Sequence, residues 1–271
     1  MKKVHLGALL ALGAMAGAIF VSGYTSTAVA GDESMYKSGD RRSGYTYLTP
    51  QTKAIQDDDF QNPGAIWVDE GEKLWSAVDG KAGKACASCH NDAATSMKGV
   101  ATVFPKYDAK LKKLKNIEGQ INICRTERMQ AKPWKYESNQ LLAMTVFVRH
   151  QSRGMPMNVS VDGDAIPFFQ AGEKFFNQRR GLLDMSCKHC HEDNAGNKAR
   201  ANLLTQAQTN GFPTYRLKWQ KVGSTHRRFR GCNKNIRAKP YGYASDEYTN
   251  LELYVAWRGR GLPVETPAVR N

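Results

Sequence analysis

The chain has 271 residues, 41% of them hydrophobic, and a formal net charge of +14. This apolar content supports packed cores and excludes a wholly disordered chain, while the length suits one large domain or two small ones. The positive charge alone would allow nucleic-acid binding, but the sequence contains no nucleic-acid-binding motif, so we expect no nucleic-acid partner.

The first 30 residues have the pattern of a secretory signal peptide. Lys2 and Lys3 precede an apolar stretch from Leu6 to Val21, and Ala28-Val29-Ala30 forms a cleavage site of small residues. The apolar stretch is shorter than the roughly 20 residues that span a bilayer, which favours cleavage over a membrane anchor. We therefore predict a signal peptide over 1–30 and a periplasmic mature protein with no membrane span.

The following segments differ in character. Residues 31–60 are polar and rich in Tyr, and they predict an extended or loosely packed N-terminal arm. Apolar periodicity predicts a helix from Trp67 towards Val78. A second helix is predicted over 138–150, with Ser138 as its N-cap.

Two Cys-x-x-Cys-His motifs are the strongest chemical signals in the sequence. They are Cys86-Ala87-Ser88-Cys89-His90 and Cys187-Lys188-His189-Cys190-His191. In this motif two thiols attach a c-type haem covalently, and the histidine takes one axial position on the iron. The sequence therefore predicts two covalently bound haem c groups, which is consistent with export.

The two motifs belong to a longer internal repeat. Cys86 and Cys187 are 101 residues apart, and Cys124 and Cys232 are 108 apart. The order of helix, haem motif, loop with a further cysteine and closing helix predicts a mainly α fold of two tandem class I cytochrome c-like domains related by duplication. The expected domains are 31–160, with the first haem, and 161–271, with the second haem and the active site.

One further cysteine per repeat suggests how the second axial position of each iron is filled. Cys124 and Cys232 occupy equivalent places, as axial ligation predicts. The alternative is a disulfide between them, which would require two distant segments to meet. His226 is a rival ligand for the second haem, whereas the methionines have no repeated partner and are interpreted as core residues.

The residues before the two additional cysteines differ in charge. Arg227, Arg228 and Arg230 precede Cys232, whereas the segment before Cys124 carries none of these arginines. Because guanidinium groups suit oxyanions, we expect a small dianion to collect at Cys232. The alternatives are that these arginines dock an acidic protein partner or neutralise haem propionates.

The segment Arg227-Arg228-Phe229-Arg230-Gly231-Cys232, together with the two haem motifs, resembles the SoxA family over essentially all of the mature chain. The resemblance implies an L-cysteine S-thiosulfotransferase that couples thiosulfate oxidatively to a cysteine of the SoxY subunit of the carrier SoxYZ. It implies that cytochrome c accepts the two electrons, and that the monohaem cytochrome SoxX is the partner subunit in a heterodimer.

The resemblance also implies roles for individual residues. Cys232 would be the catalytic residue and Arg228 the substrate-binding residue. The haem-attaching cysteines would be Cys86, Cys89, Cys187 and Cys190, and the iron ligands His90, Cys124, His191 and Cys232.

A different functional class stays open from the residues alone. The chain could be a non-catalytic periplasmic dihaem electron-transfer cytochrome. A dihaem peroxidase is a weaker option, because that chemistry needs an iron position that can open. The enzyme and the carrier differ in what they require of Arg228 and Cys232.

Overall fold

The computed structural model describes residues 33–271, so the predicted signal peptide lies outside the described residues. Short 3₁₀ helices cover Glu33–Tyr36, Gly44–Tyr47, Val100–Val103 and Gly163–Ala165. The α-helices are α1 Pro50–Asp57, α2 Ala65–Ser76, α3 Ala87–His90, α4 Ala93–Ser96, α5 Ile117–Ile123, α6 Asn139–His150, α7 Ile166–Asn177, α8 Cys187–His191, α9 Thr225–Asn235 and α10 Asp246–Arg258. The strands are β1 Lys37–Ser38, β2 Arg41–Arg42, β3 Lys106–Asp108, β4 Lys113–Lys115, β5 Lys198–Ala199, β6 Asn202–Leu203, β7 Thr214–Arg216, β8 Lys221–Gly223 and β9 Ala268–Arg270.

The described chain is mainly helical, as predicted, and its two halves share one order of elements. In the first half, α2 is followed by the motif helix α3, the β3–β4 hairpin, α5 and α6. In the second half, α7, α8, the β7–β8 hairpin, α9 and α10 follow in the same order. Strand β9 adds to the second hairpin in parallel with β7. Each haem motif therefore lies on a short helix, between a longer helix and a hairpin.

Helix boundaries follow from local capping. The Ser138 side chain accepts a hydrogen bond from the Leu141 amide, so the predicted helix over 138–150 is confirmed as α6 with that cap. Ser224 caps α9 through the Arg227 amide in the same way. Helix α2 begins two residues before the predicted Trp67 and ends before Val78.

Two helix crossings depend on glycine. A Cβ added at Gly172 of α7 would lie 2.7 Å from the Asn250 carbonyl carbon of α10. A Cβ added at Gly71 of α2 would lie 3.0 Å from the Ala143 carbonyl carbon of α6. Both distances are shorter than side chains tolerate, so glycine allows each pair of helices to cross at close range.

The N-terminal arm is not loosely packed, so that prediction was wrong. Ser43 is buried and donates a hydrogen bond to the Glu265 carboxylate, and Gln56 Nε2 donates to the same carboxylate at 3.2 Å. Thr52 donates to Asn271 at 3.0 Å. The polar residues of the arm thus form hydrogen bonds with residues near the C-terminus. Such contacts between distant segments cannot be predicted from local composition.

One hydrophobic cluster joins the two halves. It contains Trp75, Met144 and Phe147 from the first half with Leu253 and Ala256 of α10. Burial of this shared surface therefore fixes the position of the two halves relative to one another.

A buried polar cluster lies where α5, α6, α9 and α10 meet. His226 Nε2 is 3.0 Å from Glu252 Oε2, and Asn116 Nδ2 donates to the same oxygen at 3.1 Å. Burial first, and then the charge of Glu252, raise the pKa of Glu118 to about 7. Arg149 is also buried, and its Nε and one Nη find no hydrogen-bond partner among the described residues. Four ionisable groups therefore share a water-poor space between the halves.

No helix between residues 33 and 271 combines the length and apolar character that crossing a bilayer requires.

Candidate functional site

The second haem motif is held on α8. Its histidine, His191, donates from Nδ1 to the Thr205 carbonyl oxygen at 2.6 Å, which leaves Nε2 available as a metal ligand. Cys187 and Cys190, on the same helix, are half-buried. The intervening His189 is held by Ser186, whose Oγ lies 2.7 Å from His189 Nδ1. The motif therefore presents one imidazole nitrogen towards Cys232, together with two thiols.

Cys232 faces His191. It lies within α9, and not in a loop as the sequence suggested for the additional cysteines. Burial by itself would raise the pKa of the Cys232 thiol, but the charge of Arg228, the hydrogen bond with His191 and the charge of Arg216 lower it to about 6. A sulfur with this pKa is a thiolate near neutral pH, which is the form that ligates iron and acts as a nucleophile.

The neighbour of Cys232 fixes the end of α9. Asn233 is buried and accepts a 2.6 Å hydrogen bond from Arg180 Nη1. The Arg180 guanidinium also lies 4.9 Å from the Phe175 ring and 4.7 Å from the Tyr241 ring. These contacts fix the position of Cys232 relative to the haem motif, and they do not involve the Cys232 side chain.

The three arginines before Cys232 have different surroundings. Arg227 approaches Glu137 at 3.5 Å, and Arg230 donates to the Tyr241 carbonyl oxygen. Within residues 33–271, no hydrogen bond or ion pair engages the Arg228 side chain, which lies one helical turn before Cys232. Of the arginine cluster, Arg228 is therefore the member left available for an anion.

Sequence reasoning missed a second arginine at this site. Arg216 ends β7, and burial, followed by the charge of Arg228, lowers its pKa to about 10, while the charge of Cys232 acts in the opposite direction. Its Nε donates to the Asn271 carbonyl oxygen at 2.7 Å, and its guanidinium lies 4.9 Å from the Trp219 ring. Its counterpart in the first half is an aspartate 108 residues earlier, a charge reversal that the repeat could have revealed.

The first haem motif has a similar frame. Helix α3 ends at His90, whose ring centroid lies 5.7 Å from that of Trp75, and Trp75 Nε1 donates to the Asn91 carbonyl oxygen at 3.0 Å. Cys86 is half-buried and Cys89 is exposed. Burial and then the charge of Cys124 raise the pKa of Cys86, so Cys124 lies beside this motif.

The surroundings of Cys124 are chemically different from those of Cys232. Gln120, one turn earlier, donates from Nε2 to Cys124 Sγ at 3.2 Å. Both residues line a pocket of about 160 Å³ with Asp108, whose pKa is held below its usual range by the hydrogen bond from Lys115. Arg125, next to Cys124, is buried and pairs with Asp79 at 2.6 Å.

These arrangements fit haem c. A porphyrin supplies four nitrogen ligands, so the protein needs to supply only two axial side chains, and the described residues hold no cluster of three or more His, Cys, Asp or Glu that could bind a metal ion alone. The six cysteines are free, which argues against a disulfide between Cys124 and Cys232. The rival ligand His226 is directed towards Glu252 and accepts from the Ala244 amide at 3.0 Å.

Comparisons with known proteins agree with a cytochrome c fold. A family model described as the SoxA/TsdA cytochrome c domain matches residues 70–157 and 171–264. Both matched segments contain a haem motif and the additional cysteine that follows it.

Individual relatives are similar over most of the chain. The L-cysteine S-thiosulfotransferase subunit SoxA of Pseudaminobacter salicylatoxidans is 46% identical over 230 residues, covering 84% of this chain and 80% of the relative. The corresponding subunit of Rhodovulum sulfidophilum is 44% identical, covering 85% and 80%. The crystal structure of SoxXA from P. pantotrophus superposes with a TM-score of 0.82 at 43% identity, covering 85% of this chain and 87% of that chain.

Proposed function

Because the chain belongs to the SoxA/TsdA cytochrome c family, we propose that it is the SoxA-type subunit of a periplasmic L-cysteine S-thiosulfotransferase. The names of the relatives indicate transfer of thiosulfate to a cysteine, and we assign that cysteine to a carrier protein. Cytochrome c domains bind haem c, and the two motifs of this chain support two such groups.

Each proposed haem has its own set of residues. Cys86 and Cys89 would attach the first, and His90 and Cys124 would bind its iron. Cys187 and Cys190 would attach the second, and His191 and Cys232 would bind its iron. When bound, these groups supply one-electron redox chemistry, and thiolate ligation favours the ferric state.

The overall reaction balances with an external electron acceptor. A carrier thiol, RSH, and thiosulfate, S₂O₃²⁻, form the S–S bond of RS–S–SO₃⁻ and release one proton and two electrons. A cytochrome c takes up the electrons. The chain's own contribution is to bind the dianion next to Cys232 and to hold that sulfur deprotonated.

The observation that carries the proposal is the free guanidinium beside the thiolate. Arg228 has no hydrogen-bond or ion-pair partner within residues 33–271. Its charge nevertheless lowers the pKa of Cys232 more than any other neighbouring charge does. A dianion held by Arg228 would therefore lie next to the reactive sulfur. A purely electron-transferring cytochrome has no need of an unpaired arginine at that position.

The wider context is part of the same proposal. We assign a SoxX-type monohaem subunit as the partner in a heterodimer and a SoxYZ-type carrier as the protein substrate. The similarity to the SoxXA structure from P. pantotrophus supports the first assignment. The predicted signal peptide supports the periplasm, and the repeated order of elements supports duplication of two domains, 31–160 and 161–271.

Arg228→Ala in the assembled, haem-loaded complex tests this function. We expect thiosulfate-dependent reduction of cytochrome c to fall by about 10- to 100-fold or more, the equivalent of a lost charged hydrogen bond, with both haems retained. Arg227→Ala is the matched control, because it removes an arginine that already has the partner Glu137. Full turnover and unchanged thiosulfate affinity in Arg228→Ala would contradict the role of Arg228, whereas a wild-type complex without thiosulfate-dependent turnover would favour the electron-transferring cytochrome.

A further inference from the structure

The sites around Cys124 and Cys232 occupy equivalent places in the two halves but differ in charge at two positions. Asp108 and Arg216 are each the last residue of the first strand of a hairpin, and they pair in register with Lys113 and Lys221. In the first half the second strand of the hairpin leads into α5, and Cys124 begins the π-helical turn Cys124–Arg128 that directly follows it. In the second half the strand leads into α9, which contains Cys232. These two residues therefore occupy equivalent places in the fold.

The second position lies on the helices themselves. Gln120 of α5 and Arg228 of α9 each precede the additional cysteine by four residues, which is about one turn, so each lies on the same side of the chain as the sulfur. In the first half, Gln120 donates directly to Cys124, and Asp108 lines the pocket beside it. The equivalent places beside Cys232 are taken by two arginines.

We propose that Arg216 is a second thiosulfate-binding residue, and that the pair Arg216 and Arg228, in place of Asp108 and Gln120, determines which of the two thiolate sites accepts the dianion. This inference rests on the proposed function and adds the residues that determine its substrate specificity.

The charges explain why a dianion fits one site. Arg216 and Arg228 repel one another, and the single thiolate of Cys232 leaves a net charge of +1 among the three groups. A dianion between two like-charged guanidiniums relieves that repulsion. At the first site, the acidic Asp108 and the neutral Gln120 take these two places. The pocket beside Cys124 does contain cations, Lys110, Lys115 and Arg128, together with Glu127, but none of them lies at a position equivalent to Arg216 or Arg228.

The geometry also prepares Arg216 for this role. Its Nε and Nη2 both donate to the Asn271 carbonyl oxygen, and its guanidinium packs near Trp219, so its orientation is fixed before an anion arrives and Nη1 is the nitrogen left to bind it. Fixed donors lose less entropy on binding, which favours the substrate.

Steady-state kinetics of the haem-loaded complex test the role of Arg216. For Arg216→Gln we expect the KM for thiosulfate to rise at least ~10-fold, the loss of one charged hydrogen bond, with kcat within about threefold of the wild type. Arg216→Lys, which keeps the charge but not the planar fork, should recover part of the loss. Arg227→Gln, the control for general charge effects, should stay within about twofold of the wild-type KM.

These outcomes separate the roles. A folding defect lowers kcat through loss of active protein and leaves KM unchanged, so unchanged KM in Arg216→Gln, or no recovery in Arg216→Lys, overturns the inference. If the wild-type complex itself shows no thiosulfate-dependent turnover, the proposed function fails instead.

Transplanting the charges gives a second, independent measurement. Equilibrium dialysis with labelled thiosulfate should detect one site in the wild-type complex and two after Asp108→Arg combined with Gln120→Arg. Gln120→Arg alone keeps the Asp108–Lys115 ion pair and provides a folded alternative, for which we expect a weaker second site. A folded variant that still binds thiosulfate at one site only would contradict the specificity rule.

Discussion

Replacing Glu118 by Gln should make the protein more stable at neutral pH. Glu118 is 5% exposed and is faced by Arg149 on α6, His226 on α9, Glu252 on α10 and the Tyr136 hydroxyl, whose pKa is itself raised, first by burial. Such a carboxyl is costly to ionise, because burial and the nearby Glu252 both oppose its negative charge.

The sign and size of the effect follow from the pKa. Since the pKa of Glu118 in the folded state, about 7, lies above its ordinary value of 4.5, the stabilising contribution of its protonated form is present below pH 4.5 and is lost as pH rises to 7. At ~1.4 kcal/mol for each pH unit, the loss amounts to a few kcal/mol. Glutamine imitates the protonated carboxyl and does not titrate, so Glu118→Gln avoids this loss.

Chemical denaturation across the pH range is the appropriate assay. The free energy of unfolding of haem-loaded wild type and Glu118→Gln would be measured between pH 4.5 and 8 by circular dichroism. We expect the difference in favour of the variant to grow from pH 4.5 to about 7 and then to level off. The exposed Glu72, replaced by Gln, is the control and should show a difference that changes little with pH.

A result of the opposite sign would refute this reasoning. If the advantage of Glu118→Gln shrinks with rising pH, then Arg149 and His226 stabilise the ionised carboxylate more than burial and Glu252 disfavour it. A difference that does not vary with pH would mean that Glu118 titrates equally in the folded and unfolded chains.

Two further predictions concern the packing and maturation of the chain. Gly172→Ala should destabilise the protein by ~1–3 kcal/mol in denaturant unfolding, because its Cβ would overlap the Asn250 backbone, whereas Ala at the exposed neighbour Glu173 should cost less than ~0.5 kcal/mol. Intact mass spectrometry of protein exported by a bacterium that attaches haem c should show a chain that begins at Gly31 and carries two haem groups. A mass that includes residues 1–30 would contradict the signal-peptide prediction.

Local patterns predicted the frame of the molecule well. The Ser138 cap and the apolar spacing of 138–150 sufficed for α6, because capping and amphipathic periodicity act within a few residues. The two cysteines and the histidine of each haem motif also lie within five consecutive residues, so the motif can be read from the sequence. The comparisons confirm the family that these motifs suggested.

Contacts between distant segments were not predictable in the same way. Only the fold shows that Glu137 pairs with Arg227 while Arg228 stays free, since these partners come from different halves of the chain. The repeat places His226 where the first half has Glu118, but the sequence does not show that the two residues meet in one buried cluster. Arg216 followed directly after an aligned segment, and its exchange for Asp108 was the available signal.

The electrostatic energy of a dianion differs between Cys232 and Cys124, which would restrict the proposed sulfur chemistry to one of the two sites. Two unit charges about 4 Å apart interact by roughly 4 kcal/mol at an effective dielectric constant of about 20, so a dianion beside a thiolate faces a repulsion of roughly 8 kcal/mol. At Cys232, the attraction of the same dianion to Arg216 and Arg228 is of opposite sign and up to twice that size, so binding is favoured. At Cys124, the neutral Gln120 and the acidic Asp108 stand in place of the two arginines, although Lys110, Lys115 and Arg128 also line the adjacent pocket. The exclusion of thiosulfate at Cys124 is therefore assigned to the missing guanidiniums at these two places, and not to the total charge around the cysteine.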